Sequence, residues 1–394
     1  MLSMFLRPFV VLAFLTCWMS GLSVSARETP VHEKMESSAN VVFESGMNGF
    51  ASIRIPSVIL SKKEVLLAFA EGRAADKDQA FNKIILRRSF DLGVTWSDVK
   101  IIAEDKDAAL NNPCAVLEEN SGTIFLTYQS YPGTLSERSG QIETGYDGEK
   151  IVRCWLISST DDGVSWTVPR EITRNAKREN IVTTIASGPG IGIQLTSGPH
   201  VGRIVFPFNE GPFGSWNIYA VYSDDRGVTW SMGEVAPGGI VDTNGKRTSQ
   251  VNECQIVELS DGRLMMNARR WSGAKVRKSS LSNDGGQTWE SVVDVPEIKD
   301  PSCMGSIIRC KNPDADKPPL LLFSGPNSDK RSNGTIFLSE DQGQTWAKSK
   351  VIEPGLFAYS CLVELPDLSV GCLYEADDMS KIRWTKISVR KLLD

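Results

Sequence analysis

Residues 89–96 read Ser-Phe-Asp-Leu-Gly-Val-Thr-Trp, an ordinary surface turn until the same phrase returns four more times. The pattern Ser-x-Asp-x-Gly-x-Thr/Ser-Trp recurs at 159–166, 223–230, 282–289 and 339–346, with successive starting points 70, 64, 59 and 57 residues apart. A loose period of this kind marks one structural unit repeated with loops of varying length. Asp can bond turn amides, Gly can take positive φ and the Ser/Thr hydroxyl can bond within the turn. Trp adds a large apolar face to pack the hairpin onto its sheet, with an indole N–H that calls for a partner. Turn chemistry is enough to explain the phrase, so it speaks for a scaffold and not for a reaction.

Between the boxes lie short runs with strand character, among them VLLAF (65–69), TIFLTY (123–128), RIVF (203–206), RLMMN (263–267) and LLLF (320–323). Each is bounded by Gly, Pro, Asn or Asp, and helical periodicity is nearly absent. The chain is therefore expected to be all-β. Several short strands in each unit of about 60 residues fit the blades of a β-propeller, whose closed ring leaves few sheet edges exposed. Residues 27–394 shared among six blades allow about 61 each. The expectation is a six-bladed β-propeller with five Asp-box hairpins, its sixth blade assembled from both chain ends.

The first 26 residues read as a secretory signal peptide rather than as fold. Arg7 supplies the positive start, 9–21 is apolar, and Val24-Ser25-Ala26 ends in small residues suited to cleavage. The apolar run is short for a membrane span, and no other segment approaches one. A formal net charge of −5 with scattered Lys and Arg excludes a basic nucleic-acid-binding face. Beyond the leader, seven cysteines remain (114, 154, 254, 303, 310, 361 and 372), an odd number without CxxC spacing. One or two bridges would fit, but the apolar, strand-like contexts favour small buried thiols. With His32 and His200 the only histidines, a histidine metal centre or a Ser-His-Asp triad has almost no material.

Function must lie in residues that the repeat leaves unexplained. Arg54 puts a charge inside the apolar run Ile53-Arg54-Ile55-Pro56, Arg269-Arg270 ends a strand in a doubled guanidinium, and Arg331 sits in a loop just before the strand at 336–338. Here the chain resembles the sialidases (neuraminidases) of the bacterial and animal type. The resemblance is carried by Arg54-Ile55-Pro56, 66–73 (LLAFAEGR), Leu86-Arg87-Arg88-Ser89, 187–194 (SGPGIGIQ), 252–255 (NECQ), Asn267-Ala268-Arg269, Arg331, Ala358-Tyr359-Ser360 and Leu373-Tyr374-Glu375. These occur in family order and cover essentially residues 27–394, a single catalytic propeller domain.

The resemblance implies an exo-α-sialidase that removes terminal sialic acids from glycoproteins, glycolipids or oligosaccharides, retaining the anomeric configuration, with no metal or other cofactor. Sialic acid carries a carboxylate on its anomeric carbon, and planar arginine forks pair bidentately with carboxylates. Arg54, Arg269 and Arg331 would form a three-arginine clamp drawn from three blades, Arg73 an accessory sugar contact, and Glu375 the carboxylate holding the Arg54 fork. Tyr359 would be the nucleophile with Glu253 as its base, a neutral attacker that avoids repulsion from the substrate carboxylate. The acid/base aspartate falls in the loop 74–83. Counting back from Arg87-Arg88-Ser89 favours Asp78, with Asp76 the fallback. A trans-sialidase or an intramolecular, anhydro-forming enzyme would share every one of these residues, and a non-catalytic sialoglycan- or protein-binding propeller would need only the arginines. The expected setting is a monomer, secreted or periplasmic, or lysosomal in a eukaryote.

Overall fold

The computed structural model describes residues 32–34, 39–241 and 247–394; the expected leader, 1–26, lies outside the described residues. Apolar and β-branched runs make strands, and the strands pair antiparallel into the six blades of a β-propeller. Blade 1 runs Ser52–Leu60, Leu66–Arg73, Lys83–Ser89 and Lys100–Ala103. Blade 2 runs Ala108–Glu118, Thr123–Pro132, Arg153–Ser159 and Arg170–Glu171, and blade 3 runs Ile185–Ser187, Ile204–Glu210, Asn217–Ser223 and Ser231–Met232. Blade 4 comprises Val251–Glu258, Leu264–Arg270, Val276–Ser282 and Val293–Lys299; blade 5 comprises Ser306–Cys310, Leu320–Pro326, Ser332–Ser339 and Lys348–Leu356. Blade 6 takes Ser360–Glu364, Ser369–Ala376 and Lys381–Ser388 from the C-terminal part of the chain and Asn40–Glu44 from the N-terminal part.

This closure explains why six blades carry five boxes. Each box is the turn between a third and a fourth strand, beginning at the last residue of the third: Ser89, Ser159, Ser223, Ser282 and Ser339. In blade 6 the fourth strand arrives from the other end of the chain, so there is no turn to box. In box 1 the Ser89 hydroxyl donates to Asp91 Oδ1 (2.7 Å) and accepts from the Gly93 amide (2.8 Å). The Thr95 amide and hydroxyl donate to the two Asp91 oxygens at 2.9 and 2.5 Å. Those bonds hold the Asp91 carboxyl below its usual pKa. The same set recurs in the other four boxes.

The boxes also join neighbouring blades. A Cβ on Gly93 would lie 1.9 Å from Trp384 Nε1 in blade 6, one on Gly163 would lie 2.6 Å from Leu67 in blade 1, and one on Gly227 would lie 2.4 Å from Phe125 in blade 2. Glycine is thus needed for close approach as well as for its positive φ. The tryptophans lean the same way: Trp166 meets Phe69 of blade 1 and Trp96 meets Trp384 of blade 6, both edge-on at 5.8 Å. One expectation fails here. Trp230 donates to the Gly227 carbonyl (3.1 Å), but the buried indole N–H groups of Trp96, Trp166 and Trp289 meet no protein acceptor among the described residues.

The segment 187–194 has an axial role. Ser57 of blade 1 donates to the Gly190 carbonyl (2.6 Å), and Gln255 of blade 4 donates to the Pro189 carbonyl (2.9 Å). Ile191 packs against the apolar clusters shared by blades 5 and 6, 6 and 1, and 1 and 2. The seven cysteines are buried and unbridged. Among the described residues, no helix is long and apolar enough to cross a membrane.

Gly93 and Gly202 separate two costs. Both have φ near +90°, but a Cβ at Gly202 meets nothing within 4 Å. Gly202→Ala should cost about 1 kcal/mol from backbone strain alone, and Gly93→Ala several kcal/mol more from overpacking against Trp384. Equal shifts in the urea midpoint of the two variants would show that the box glycine serves only its φ.

Candidate active site

Because strands alternate in direction, the boxes and the turns after each first strand lie at one end of the ring. The connections after second and fourth strands lie at the other. That second end holds a cavity of about 250 Å³ lined by Arg54, Arg73, Asp78, Glu253, Arg269, Arg331 and Tyr359, all seven of the cavity residues expected from the sequence. Asp76, two residues before Asp78, is exposed and does not line it.

Glu375 sits behind the cavity with no exposed surface. It accepts from Arg54 Nε (2.7 Å) and Nη2 (2.8 Å), a bidentate fork, and from the amides of Ile55 (2.9 Å) and Tyr359 (3.2 Å). Burial would raise the Glu375 carboxyl, but Arg54 and these amides hold it below its usual value. Burial alone would lower the Arg54 guanidinium, and Glu375 more than offsets that, so Arg54 stays charged.

Tyr359 follows the fourth strand of blade 5 and Glu253 lies in the first strand of blade 4. The Tyr359 hydroxyl donates to Glu253 at 2.6 Å (Oε1) and 2.7 Å (Oε2). Arg269 Nη1 donates to Glu253 Oε2 (2.5 Å) and to the Tyr359 oxygen (2.8 Å), closing a triangle. Burial pushes the phenol well above its usual pKa; Arg269 and Arg331 pull it back and Glu253 adds to the rise. A phenol in this setting rests protonated with its acceptor already in place. Arg331 stands 5.4 Å over the Tyr359 ring, its Nη2 on the Ser302 carbonyl at 3.0 Å. The second guanidinium of the doublet, Arg270, turns away to the Asp300 and Gly273 carbonyls.

On the blade 1 side, Arg73 donates from Nε to Glu71 (2.8 Å) and from Nη1 to Asp78 Oδ1 (3.2 Å). The loop that carries Asp78 is pinned by its backbone: the Asp78 carbonyl accepts from Asn82 (2.6 Å) and Asn111 (2.8 Å). The Asp78 side chain is left 67% exposed, free to meet a ligand and solvent. Glu71 accepts from Arg73, the Asn111 side chain and the Asn112 amide, although burial still raises its carboxyl above the usual range. Sequence reasoning did not single out Glu71 or Asn111; an acid two residues before Arg73 inside a buried strand was the available signal.

Two further features of the wall were also missed. Glu137 lies on a short 3-10 turn in the long loop of blade 2, and its pKa is raised to about 7. Burial is the main cause, reinforced by Glu253 and Asp78 and opposed by Arg138 and Arg269. Phe213, Trp216 and Trp271 contribute an aromatic cluster with centroids 5.4 to 6.1 Å apart. Neither had a repeat or motif to announce it.

Residues 64–373 match the BNR repeat-like domain family. The chain is 33% identical over 369 residues to a sialidase of Micromonospora viridifaciens, covering 90% of this chain and 54% of that protein. It is 28% identical over 376 residues to Sialidase-2 of Cricetulus griseus, covering 87% of this chain and 94% of that protein. The chain thus spans about half of the bacterial relative and nearly all of the animal one. Among solved structures, the Hadza microbial sialidase Hz136 superposes with a TM-score of 0.79 at 26% identity, over 90% of this chain and 69% of that one. Repeat, fold and relatives agree along almost the whole propeller: the chain belongs to the sialidase family of glycoside hydrolases.

Proposed function

We propose that this protein is an exo-α-sialidase that hydrolyses terminal sialic acid from glycoproteins, glycolipids or oligosaccharides with retention, through a tyrosyl-enzyme intermediate. The observation that carries this reading is the Tyr359–Glu253–Arg269 triangle in an arginine-lined cavity. Arg54, Arg269 and Arg331 receive the substrate carboxylate, which places the anomeric carbon against the Tyr359 oxygen. As that oxygen attacks, its proton passes to Glu253, and Arg269 steadies the charge that develops on the phenol oxygen. The bond to the leaving oxygen breaks while Asp78 delivers a proton to it. In the second step Asp78 takes a proton from water, the resulting hydroxide displaces Tyr359 from the anomeric carbon, and Glu253 returns the proton to the phenol. A neutral nucleophile suits a carbon that bears a carboxylate. With the leader expected at 1–26, we place this activity outside the cytoplasm, in a secreted, periplasmic or lysosomal setting.

Tyr359→Phe should lower release of 4-methylumbelliferone from its sialoside by at least about 100-fold, since both the nucleophile and its proton transfer are lost. Wild-type turnover in that variant would sink the mechanism. Asp78→Ala should lower cleavage of a natural sialyllactose by about 10²- to 10⁴-fold, with a smaller loss on the aryl sialoside, whose leaving group needs less protonation. Asp76→Ala should change neither by more than about two-fold, and a large loss in it instead would transfer the acid/base role.

Glu137 also fixes a pH dependence. Its folded pKa, about 7, lies above the unfolded carboxyl value, so the folded state binds the extra proton between the two. Stability from this group is full below about pH 4.5 and declines as pH rises through 7. Melting temperature followed from pH 5 to 8 should fall less steeply in Glu137→Gln than in the wild type, and parallel curves would refute the assignment.

A further inference from the structure

Behind the cavity, the link between blades 4 and 5 is folded around a single buried carboxylate. Asp300 is 2% exposed and Arg277, in the third strand of blade 4, is 1% exposed; neither lines the cavity. Asp300 Oδ1 accepts from the Cys303 amide (2.9 Å), which curls 300–303 into a tight turn. Asp300 Oδ2 accepts from the Arg270 amide (2.7 Å) and from Arg277 Nη1 (3.1 Å). The same Arg277 nitrogen donates to the Cys303 carbonyl (2.8 Å), its Nε donates to Asn267 Oδ1 (2.8 Å), and the guanidinium lies 5.1 Å over the Phe323 ring.

Two arms lead from this brace to the site. One is the turn itself: Ser302 is held at φ +60°, a region costly for a residue with a side chain, and the carbonyl so presented receives Arg331 Nη2 at 3.0 Å. Cys303 and Met304 then pack against Ala358 and Tyr359. The other arm is the Arg270 amide, bound by the same carboxylate directly after Arg269. Arg269 and Arg331 come from different blades, yet the backbone beside one and the hydrogen-bond acceptor of the other are both referenced to Asp300.

We propose that Asp300 and Arg277 form a positioning brace that sets the separation of Arg269 and Arg331, and through it the affinity of the site for the substrate carboxylate. The inference rests on the sialidase reading above. A buried pair of this kind is a weak source of net stability, because desolvation consumes much of its attraction. Its return here is geometric. The clamp grips a carboxylate that is present in the ground state and the transition state alike, so loosening it weakens binding more than chemistry.

The test is steady-state kinetics of Asp300→Asn and Arg277→Lys on 4-methylumbelliferyl sialoside, with inhibition by the carboxylate-bearing 2,3-didehydro glycal of sialic acid. Asp300→Asn keeps the size and one acceptor, and Arg277→Lys keeps the charge while losing the fork. The expected result is a rise of about ten-fold in KM and in the glycal Ki, with kcat within about three-fold. Ser302→Gly, which keeps the carbonyl and removes the constraint on φ, should move both constants the same way by a smaller factor and serves if either buried variant melts below the assay temperature. Unchanged KM and Ki in folded variants, or a fall in kcat alone, would overturn the brace while leaving the sialidase reading intact. A wild-type chain that neither cleaves the sialoside nor binds the glycal would overturn that reading first, and the brace with it.

Discussion

One buried carboxylate carries both the closure of the ring and the geometry of the site. Glu375 lies in the second strand of blade 6, Arg54 in the first strand of blade 1, and 321 residues separate them along the chain. They meet only because Asn40–Glu44 completes blade 6 beside Lys381–Ser388 and brings blade 1 round to the end of the chain. Once there, Glu375 takes both arms of Arg54 and the amides of Ile55 and Tyr359. Removing one member of such a pair strands an uncompensated charge, at a cost of about 3–5 kcal/mol. Ring and cavity therefore share a failure point: a ring that opens at this seam releases Arg54 and the backbone support of Tyr359 together.

The cations around Tyr359 are not equally committed. Arg54 is bound through two of its nitrogens by Glu375, and Arg269 divides one nitrogen between Glu253 and the phenol. Arg331 meets a backbone carbonyl rather than a carboxylate. Of these three guanidinia, Arg331 alone has no carboxylate hydrogen-bond partner among the described residues. Arg269 reaches the Glu253 carboxylate and the Tyr359 oxygen from the same nitrogen, so both groups stay within its hydrogen-bond reach.

The scaffold was legible because its turn is written in side chains. Asp91, Ser89 and Thr95 make the bonds that turn chemistry expects of them, and the spacing of the boxes was enough to count blades. Arg54, Arg73, Asp78, Glu253, Arg269, Arg331 and Tyr359 were legible through ordered motifs, and the cavity brings the seven together. What stayed hidden depends on pairing between strands and blades. Arg277 reads as one more basic residue in a polar stretch until its register opposite the end of the Arg269 strand buries it. Glu137 sits in a loop with no periodicity, and its neighbours Glu253 and Asp78 come from other blades. The tryptophans mislead in the opposite direction, since an indole N–H looks as though it must be bonded, yet those of Trp96 and Trp166, packed on the preceding blade, meet no protein acceptor among the described residues.

The alternation of strand direction accounts for how the repeat and the chemistry divide the sequence. The connection after each third strand must return at the box end, where a fixed turn and a close-packed glycine hold adjacent blades in register, so it tolerates little variation. The connections after the second strands open at the opposite end and carry no such duty. There they differ from blade to blade: the loop of blade 1 brings Asp78, that of blade 2 brings Glu137, that of blade 3 brings Phe213 and Trp216, that of blade 4 brings Trp271 and that of blade 5 brings Arg331. A site assembled this way has no local sequence of its own. Its members are neighbours only because five similar turns at the far end set the angle between one blade and the next, and a shift at any seam changes the distances across the cavity.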